Sequence, residues 1–298
     1  MDKSIEQLVE KVKADPKNPE LLKELGNLYF RQDQFDLAIE QYQAALALNP
    51  GYYKAFYNLG NTYYKMEQFE KAVHFWHEAI KIKPDFDHAY FNIGYHHFQK
   101  GFMREAIKAL QEAARINPGA ADTHHYLGLA YHSTNQFDDA ILEFKEAIKL
   151  DSEEPDYHYN LANTSYDNGD YQVAAAEWEV TLQHRPNDSK ARNNYCDALL
   201  QLGRFEEGLV EIEKVLAAEP NYPPAICTKG ELLEKTGRKD EAQKLFNKVL
   251  ELVKGTESWE LLYKYLLGKL GLEAPVANDD NSDEQPAPRT AKTPRTKD

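Results

Sequence analysis

The chain has 298 residues, of which 42% are hydrophobic and 12% aromatic, a composition that excludes an intrinsically disordered protein. Its 35 basic and 49 acidic residues give a formal net charge of −14. That balance disfavours nucleic acid or an anionic membrane as the main partner, because both attract basic surfaces. Only Cys196 and Cys227 are present, too few for a disulfide framework, so we expect a reducing, cytoplasmic compartment.

The N-terminal segment alternates charged and apolar residues and contains no long apolar run. It therefore predicts neither a secretory signal nor a membrane span. Pro16 precedes Pro50 by one period of the repeat described below, so we interpret residues 1–18 as the helix of a degenerate leading repeat. A terminal helix of this kind covers the first complete repeat and presents a polar outer face.

A period of 34 residues runs through most of the chain. A small residue recurs at that spacing, and an alanine and a large apolar residue follow it at fixed offsets. Seven consecutive repeats fit between residues 19 and 255. The small residues are Gly26, Gly60, Gly94, Gly128, Ala162, Cys196 and Gly230, and the large ones are Tyr42, Trp76, Leu110, Phe144, Trp178, Ile212 and Phe246.

Each repeat predicts two helices. In the second repeat, Leu59, Gly60 and Tyr63 lie on one face of a first helix, and Trp76 marks the apolar face of a second. Pro84 ends the second helix because proline cannot supply the next backbone donor. A glycine inside a helix lowers stability by about 1 kcal/mol relative to alanine. Gly60 therefore indicates that the paired helices approach too closely for a side chain.

The Leu-Gly-x-x-Tyr pattern from Leu59, followed by Ala-x-x-x-Trp-x-x-Ala from Ala72 and by Pro84, resembles the tetratricopeptide repeat family. The resemblance implies an all-α fold, an α-solenoid of stacked helix-turn-helix repeats that form a right-handed superhelix. It also implies that the first helix of each repeat lines the concave side. The function that it implies is protein–protein interaction.

Two segments follow the repeats. Residues 256–272 carry apolar side chains at helical spacing from Trp259 to Leu270, which predicts a capping helix over the last repeat; a docking site for a partner is the alternative. Residues 273–298 contain four prolines and no aromatic residue, so we expect a disordered tail. Thr290 and Thr293 are candidate phosphorylation sites in it.

The sequence contains no Gly-rich phosphate loop, no nucleophile elbow and no cysteines at metal-binding spacing. We therefore expect no enzyme activity and no cofactor. The histidines concentrate between His88 and His158, but adjacent pairs point to different faces of a helix. His125 and His132 share a face, yet two ligands are too few for a metal. We expect no metal site, with a pH-sensing or metal cluster as the alternative.

The remaining face of the first helices repeats asparagine at two positions, with aromatic residues between them. Tyr126 interrupts one of these asparagine rows, and Phe30 and Lys65 fall on the same face. We predict that this face binds peptides. The predicted peptide-binding residues are Lys23, Asn27, Tyr57, Asn58, Asn61, Tyr64, Phe91, Asn92, Tyr95, His125, Tyr126, Tyr159, Asn160, Asn163 and Asn194.

An asparagine amide has one acceptor oxygen and two N–H donors, so it can pair with any peptide backbone. Packed helices lie about 8–10 Å apart and an extended chain advances about 3.3 Å per residue, so one asparagine per repeat matches an extended segment. The arrangement resembles the asparagine ladder of the O-linked N-acetylglucosamine transferase repeats, which holds extended protein substrates. We interpret the chain as a monomeric or weakly associating adaptor or scaffold that binds extended segments of protein partners.

Three alternatives stay open. Lys23, Asn27 and Asn58 match three positions of the carboxylate clamp with which co-chaperones grip chaperone C-termini, but His88 and Asn92 stand where that clamp has two basic residues. The chain is alternatively a structural scaffold that self-assembles through its terminal repeats. A regulatory subunit of a separate enzyme is the third interpretation.

Overall fold

A computed structural model describes residues 3–272, and over that range every regular element is a helix. The chain divides into two compact units, Met1–Pro220 and Asn221–Asp298. The predicted tail 273–298, with Thr290 and Thr293, lies outside the described residues. None of the helices between residues 3 and 272 combines the length and the apolar character that crossing a membrane requires.

The first unit begins with a single helix, and helix pairs of nearly constant length follow it. Ile5 and Leu8 of that single helix are buried against Leu25. Consecutive pairs pack on each other through the second helix of one and the first helix of the next. The helices are α1 (Lys3–Ala14), α2 (Pro19–Arg31), α3 (Phe35–Leu48), α4 (Tyr53–Lys65), α5 (Phe69–Ile82), α6 (Asp87–Gln99), α7 (Met103–Ile116), α8 (Ala121–Ser133), α9 (Phe137–Leu150), α10 (Pro155–Asp167), α11 (Tyr171–His184), α12 (Ser189–Gln201) and α13 (Phe205–Ala218).

The second unit contains α14 (Pro223–Lys235), α15 (Lys239–Val253) and α16 (Glu260–Leu270), with a 3₁₀ turn at Glu257–Trp259. Helix α16 packs on α15, and Leu266 and Leu267 are its buried residues. The predicted helix is therefore present, and its capping role stays a prediction. Together the two units confirm the predicted all-α helical repeat fold.

Local sequence accounts for the helix ends. The Asn18 side chain caps α2 by accepting hydrogen bonds from the backbone N–H groups of Glu20 and Leu21. Asp170 and Asp188 cap α11 and α12 in the same way. Between the helices of each pair, one residue adopts a left-handed conformation with φ between 57° and 86°, which turns the chain back for the second helix. These residues are Asp33, Glu67, Gly101, Asn135, Gly169, Gly203 and Gly237.

The core of each pair forms where the small residue of the first helix meets the large residue of the second. A Cβ atom at Gly60 would lie 2.4 Å from Cδ1 of Trp76, closer than van der Waals contact allows. Gly26 and Gly128 meet Tyr42 and Phe144 in the same way. The prediction that these glycines serve close helix packing is confirmed.

Candidate functional site

The predicted peptide-binding residues all lie on the first helices of the pairs in the first unit. Lys23 and Asn27 are on α2, and the others are distributed over α4, α6, α8, α10 and α12. We refer to these six helices as the first helices. They bring seven of the fifteen predicted residues to one pocket, and most of the asparagines form bonds between neighbouring helices.

Asparagines of consecutive first helices are hydrogen-bonded to each other. In each bridge the amide nitrogen of one asparagine donates to the amide oxygen of an asparagine 31 residues earlier. The two asparagine rows of the sequence are therefore the two halves of one set of bridges. The bridges are Asn58 to Asn27 (2.8 Å), Asn92 to Asn61 (2.8 Å) and Asn194 to Asn163 (3.3 Å).

Two tyrosines replace the asparagines between α6 and α8. Tyr95 and Tyr126 have the same separation in sequence as the asparagine pairs, and their ring centroids are 4.9 Å apart at an interplanar angle of 81°. Burial raises the pKa of Tyr126 to about 12, and Tyr95 and Asp122 add smaller contributions. Tyr126, which interrupts the asparagine row in the sequence, thus continues the bridges with an aromatic pair.

The bridges use part of the hydrogen-bonding capacity of the amides. The oxygen of Asn27 also accepts from the Tyr42 hydroxyl at 2.8 Å, and the oxygen of Asn61 accepts from Nε1 of Trp76 at 2.9 Å. The amide nitrogens of Asn27 and Asn61 take no part in these bonds and are able to donate to a ligand. The asparagines therefore join the first helices and still offer donors to a ligand.

An open pocket of about 460 Å³ lies among α2, α4, α5, α6 and α8. Seven aromatic side chains form most of its wall, and two asparagine amides and two charged residues complete it. The predicted residues that it brings together are Tyr57, Asn61, Tyr64, Phe91, Asn92, Tyr95 and Tyr126, and the other lining residues are Phe30, Lys65, Trp76 and Asp122. We call it the aromatic pocket.

Three rings of the aromatic pocket, from α6 and α8, contact each other. Phe91 and Tyr95, one helical turn apart on α6, are nearly parallel, with centroids 6.2 Å apart and an interplanar angle of 14°. The Tyr126 ring stands edge-on to both, at 68° and 81°. The Tyr57 hydroxyl accepts a hydrogen bond from the Asn92 amide at 3.3 Å. Flat apolar faces beside amide and phenol groups suit a side chain together with the backbone that carries it.

Two lining residues, Trp76 and Asp122, were not predicted. The Trp76 ring packs between the two helices of its own pair. The 34-residue period does not indicate that this ring also lines the pocket. Asp122 precedes Tyr126 by four residues, so both lie on one face of α8. That spacing is the signal that identifies Asp122 in the sequence.

Predicted residues outside the pocket include those shared with the carboxylate clamp. Lys23 forms an ion pair with Glu20, whose carboxylate also accepts from the Tyr52 hydroxyl, and these bonds lower the pKa of Glu20. His88 lies 2.8 Å from the carboxylate of Asp87 on its own helix. Lys23 thus already has a carboxylate partner, and His88 lies beside another carboxylate.

The other predicted residues outside the pocket lie on α8, α10 and α12. Nδ2 of Asn160 is 2.9 Å from Nε2 of His125, which links α10 to α8. The half-buried Tyr159 packs against the core around Trp178. Over residues 3–272 no group of three or more histidine, cysteine, aspartate or glutamate side chains is placed to hold a metal ion.

Comparison with known proteins is consistent with this architecture. A TPR repeat family model matches residues 26–67, 94–135 and 128–169, and tetratricopeptide repeat models match residues 53–86, 159–225 and 223–252. A search of curated protein sequences finds no match.

Several solved structures share the fold. A MamA protein is 24% identical, with a TM-score of 0.53, and the match covers 58% of this chain and 95% of MamA. YrrB, described as a TPR protein with an unusual peptide-binding site, is 18% identical, with a TM-score of 0.55 and coverage of 64% and 97%. A tetratricopeptide repeat protein from Parabacteroides merdae is 17% identical, with a TM-score of 0.54 and coverage of 84% and 98%. At these identities the likeness concerns the fold alone, and the matches to the repeat models carry the assignment. The chain belongs to the tetratricopeptide repeat family.

Proposed function

We propose that this protein is a non-catalytic adaptor that binds an extended segment of a partner protein along its first helices, centred on the aromatic pocket. The observation that supports the proposal most is that seven residues predicted from their repeat positions line a single pocket. The printed description of YrrB, a protein of similar fold, names a peptide-binding site. A pocket of about 460 Å³ is large enough for side chains of a bound segment.

The chemistry of the pocket suits a peptide. Aromatic faces supply apolar contact area with little loss of side-chain freedom, because each ring is already fixed by its neighbours. Asparagine amide nitrogens and tyrosine hydroxyls supply hydrogen bonds for the backbone of the segment. Contacts of this kind tolerate variation in the side chains that they do not touch, which is what an adaptor requires.

Phe91 is the residue that best tests the proposal. It contributes a ring to the pocket, and it is half-buried. We expect Phe91→Ala to weaken a selected nine-residue peptide about tenfold or more, because truncation of a central aromatic contact commonly has an effect of this size. The peptide is selected from a random display library on the full chain, and its dissociation constant is measured by fluorescence anisotropy.

Phe102→Ala is the matched control, because Phe102 lies outside the pocket in the turn before α7 and is 56% exposed. It should bind the peptide as the unchanged chain does. Circular dichroism should show equal helicity in both variants. Equal peptide affinity of the two variants would contradict the proposal. Asparagine variants are a poorer test, because their loss also breaks the bridges between helices.

A further inference from the structure

Asp122 is the carboxylate of the aromatic pocket. It is exposed in the first turn of α8 and accepts a hydrogen bond from the neutral hydroxyl of Tyr157 at 2.9 Å. Over residues 3–272 it forms no ion pair. It is close enough to Tyr126 to contribute to that residue's raised pKa. A carboxylate that lacks a cation thus stands beside the rings of Tyr126 and its neighbours.

Asp156, at the equivalent position of the next repeat, is a carboxylate with a cationic partner within the protein. It lies one period after Asp122 and forms an ion pair with Arg185 at 2.7 Å. The residue one period before Arg185 is Asp151, so the repeat of Asp122 has no equivalent cation. The two positions therefore differ in whether the protein itself supplies the positive charge.

The rings around Asp122 favour a cation as well. The faces of Phe and Tyr rings carry negative electrostatic potential, which attracts a cation placed over such a face. The rings of Phe91 and Tyr95 are nearly parallel, and the Tyr126 ring is steeply inclined to both. Arginine suits this combination better than lysine, since its planar guanidinium stacks on rings, pairs with carboxylates through two N–H groups, and is weakly hydrated.

Lys65 lies at the other side of the pocket and does not compete for the same place. It is the last residue of α4, whereas Asp122 is on α8, and the rings of α6 stand between them. Two interhelical spacings of about 8–10 Å each separate the two helices. Lys65 repels a basic side chain from the α4 side and so directs it towards Asp122.

We propose that the segment bound by this protein places a basic side chain, preferably arginine, in the aromatic pocket, with its charge paired to Asp122. This inference rests on the proposed peptide-binding function. It defines the class of partner as an extended segment with an arginine at one defined position. An acidic side chain is compatible with that segment on the Lys65 side.

The test selects nine-residue peptides from a random display library on three full-length proteins: the unchanged chain, Asp122→Asn and Asp156→Asn. Asparagine retains the oxygen that accepts from Tyr157, and thermal melting checks that both variants fold. We expect arginine to be enriched at one position on the unchanged chain and on Asp156→Asn. An arginine peptide should bind Asp122→Asn about tenfold more weakly, and Asp156→Asn within about twofold of the unchanged chain.

A charge exchange makes the assignment specific. Asp122→Lys should reject the arginine peptide and regain binding when that arginine is replaced by glutamate. Enrichment of apolar or acidic residues at the position, or equal effects of Asp122→Asn and Asp156→Asn, would overturn this inference and leave the proposed function standing. Failure to select any peptide on the unchanged chain would overturn both.

Discussion

Helices α4–α6 and α10–α12 carry the same tryptophan and asparagines at equivalent positions, yet their hydrogen bonds differ. In the first region Nε1 of Trp76 donates to Asn61 at 2.9 Å. In the second region Nε1 of Trp178 is buried and has no acceptor among the described residues. The bridge from the next helix is 2.8 Å at Asn61 and 3.3 Å at Asn163.

One methyl group separates the two regions at the point where the helices of a pair touch. The first has Gly60, and a Cβ atom there would lie 2.4 Å from Cδ1 and 2.5 Å from Nε1 of Trp76. The second has Ala162, which is fully buried. Because its Cβ occupies the space that the first region leaves to the indole, Trp178 cannot adopt the position of Trp76. The small residue therefore accounts for the difference in hydrogen bonding between the two indoles.

The substitution Gly60→Ala should remove this difference between the two regions and destabilise the chain strongly. The new Cβ displaces the Trp76 indole, so the core is overpacked and Nε1 loses Asn61. We expect a loss of about 2–4 kcal/mol in unfolding free energy, partly offset by about 1 kcal/mol of helix propensity. Urea unfolding followed by circular dichroism measures the change.

Ala162→Gly is the reciprocal control. It opens the space for the Trp178 indole to reach Asn163 and costs about 1 kcal/mol of helix propensity, so the net change should be within about 1 kcal/mol. A slower hydrogen exchange of the Trp178 indole N–H would show the new bond. If Gly60→Ala and Ala162→Gly changed stability equally, the small residue would not explain the difference between the regions.

Replacing each of the two equivalent asparagines by alanine tests the same difference between the regions, with a smaller expected change in stability. Asn61→Ala removes the acceptor of two donors and leaves Nε1 of the buried Trp76 without a partner, so we expect a loss of about 1–3 kcal/mol. Asn163→Ala removes one longer bond and should cost about 0.5–1.5 kcal/mol. The measurement is again the urea midpoint, with both variants compared in the same chain. Equal losses would mean that the Trp76 bond adds nothing.

The sequence alone predicts those parts of the fold that depend on contacts within one helix pair. The spacing of Gly60 and Trp76 predicts two helices in close contact, because that contact is internal to the repeat. It also placed Tyr95 and Phe91 on the face that forms the pocket, since helical periodicity assigns faces directly.

The contacts between pairs were harder to predict. The bridge between Asn27 and Asn58 and its aromatic counterpart at Tyr95 and Tyr126 depend on how far one pair is rotated against the next. The sequence pattern of a single repeat carries no information about this rotation. It therefore predicts that the asparagines contact a ligand, and it does not predict the hydrogen bonds between them. Asp122 was missed for a related reason: its importance lies in the absence of a cation that Asp156 has in Arg185.

Helices α4–α6 and α10–α12 also differ near the N-termini of α4 and α10. In the first region Phe56 stacks on Phe75, with ring centroids 6.3 Å apart. In the second, His158 takes the place of Phe56, with Nδ1 2.6 Å from the Glu177 carboxylate and Nε2 3.2 Å from the Ser152 carbonyl. An apolar contact has thus been replaced by a polar one, in which a carboxylate and a backbone carbonyl face the two ring nitrogens.

The preceding pair repeats the histidine arrangement, and the following pair replaces it with a permanent cation. His124 lies 2.7 Å from Glu143 and 3.1 Å from the Pro118 carbonyl. Arg192 occupies the same position opposite Glu211 and the Pro186 carbonyl. The hydrogen bond to Glu143 raises the pKa of His124 above its usual value near 6.5; burial opposes the rise, and the Pro118 carbonyl and Glu146 assist it.

The stability of the α8–α9 pair should depend weakly on pH through His124, whereas the apolar contact of Phe56 has no titratable group. Because the folded-state pKa of His124 is raised, the stabilisation by Glu143 is complete below about pH 6.5 and is lost as pH rises through the raised value. We expect His124→Arg to match the unchanged chain at pH 6 and to exceed it by about 0.5–1 kcal/mol at pH 9. Hydrogen exchange of the α8 and α9 amides, corrected for the intrinsic rate at each pH, measures the opening free energy of this pair. A difference between the two proteins that stayed constant from pH 6 to pH 9 would contradict this prediction, because it would mean that folding leaves the pKa of His124 unchanged.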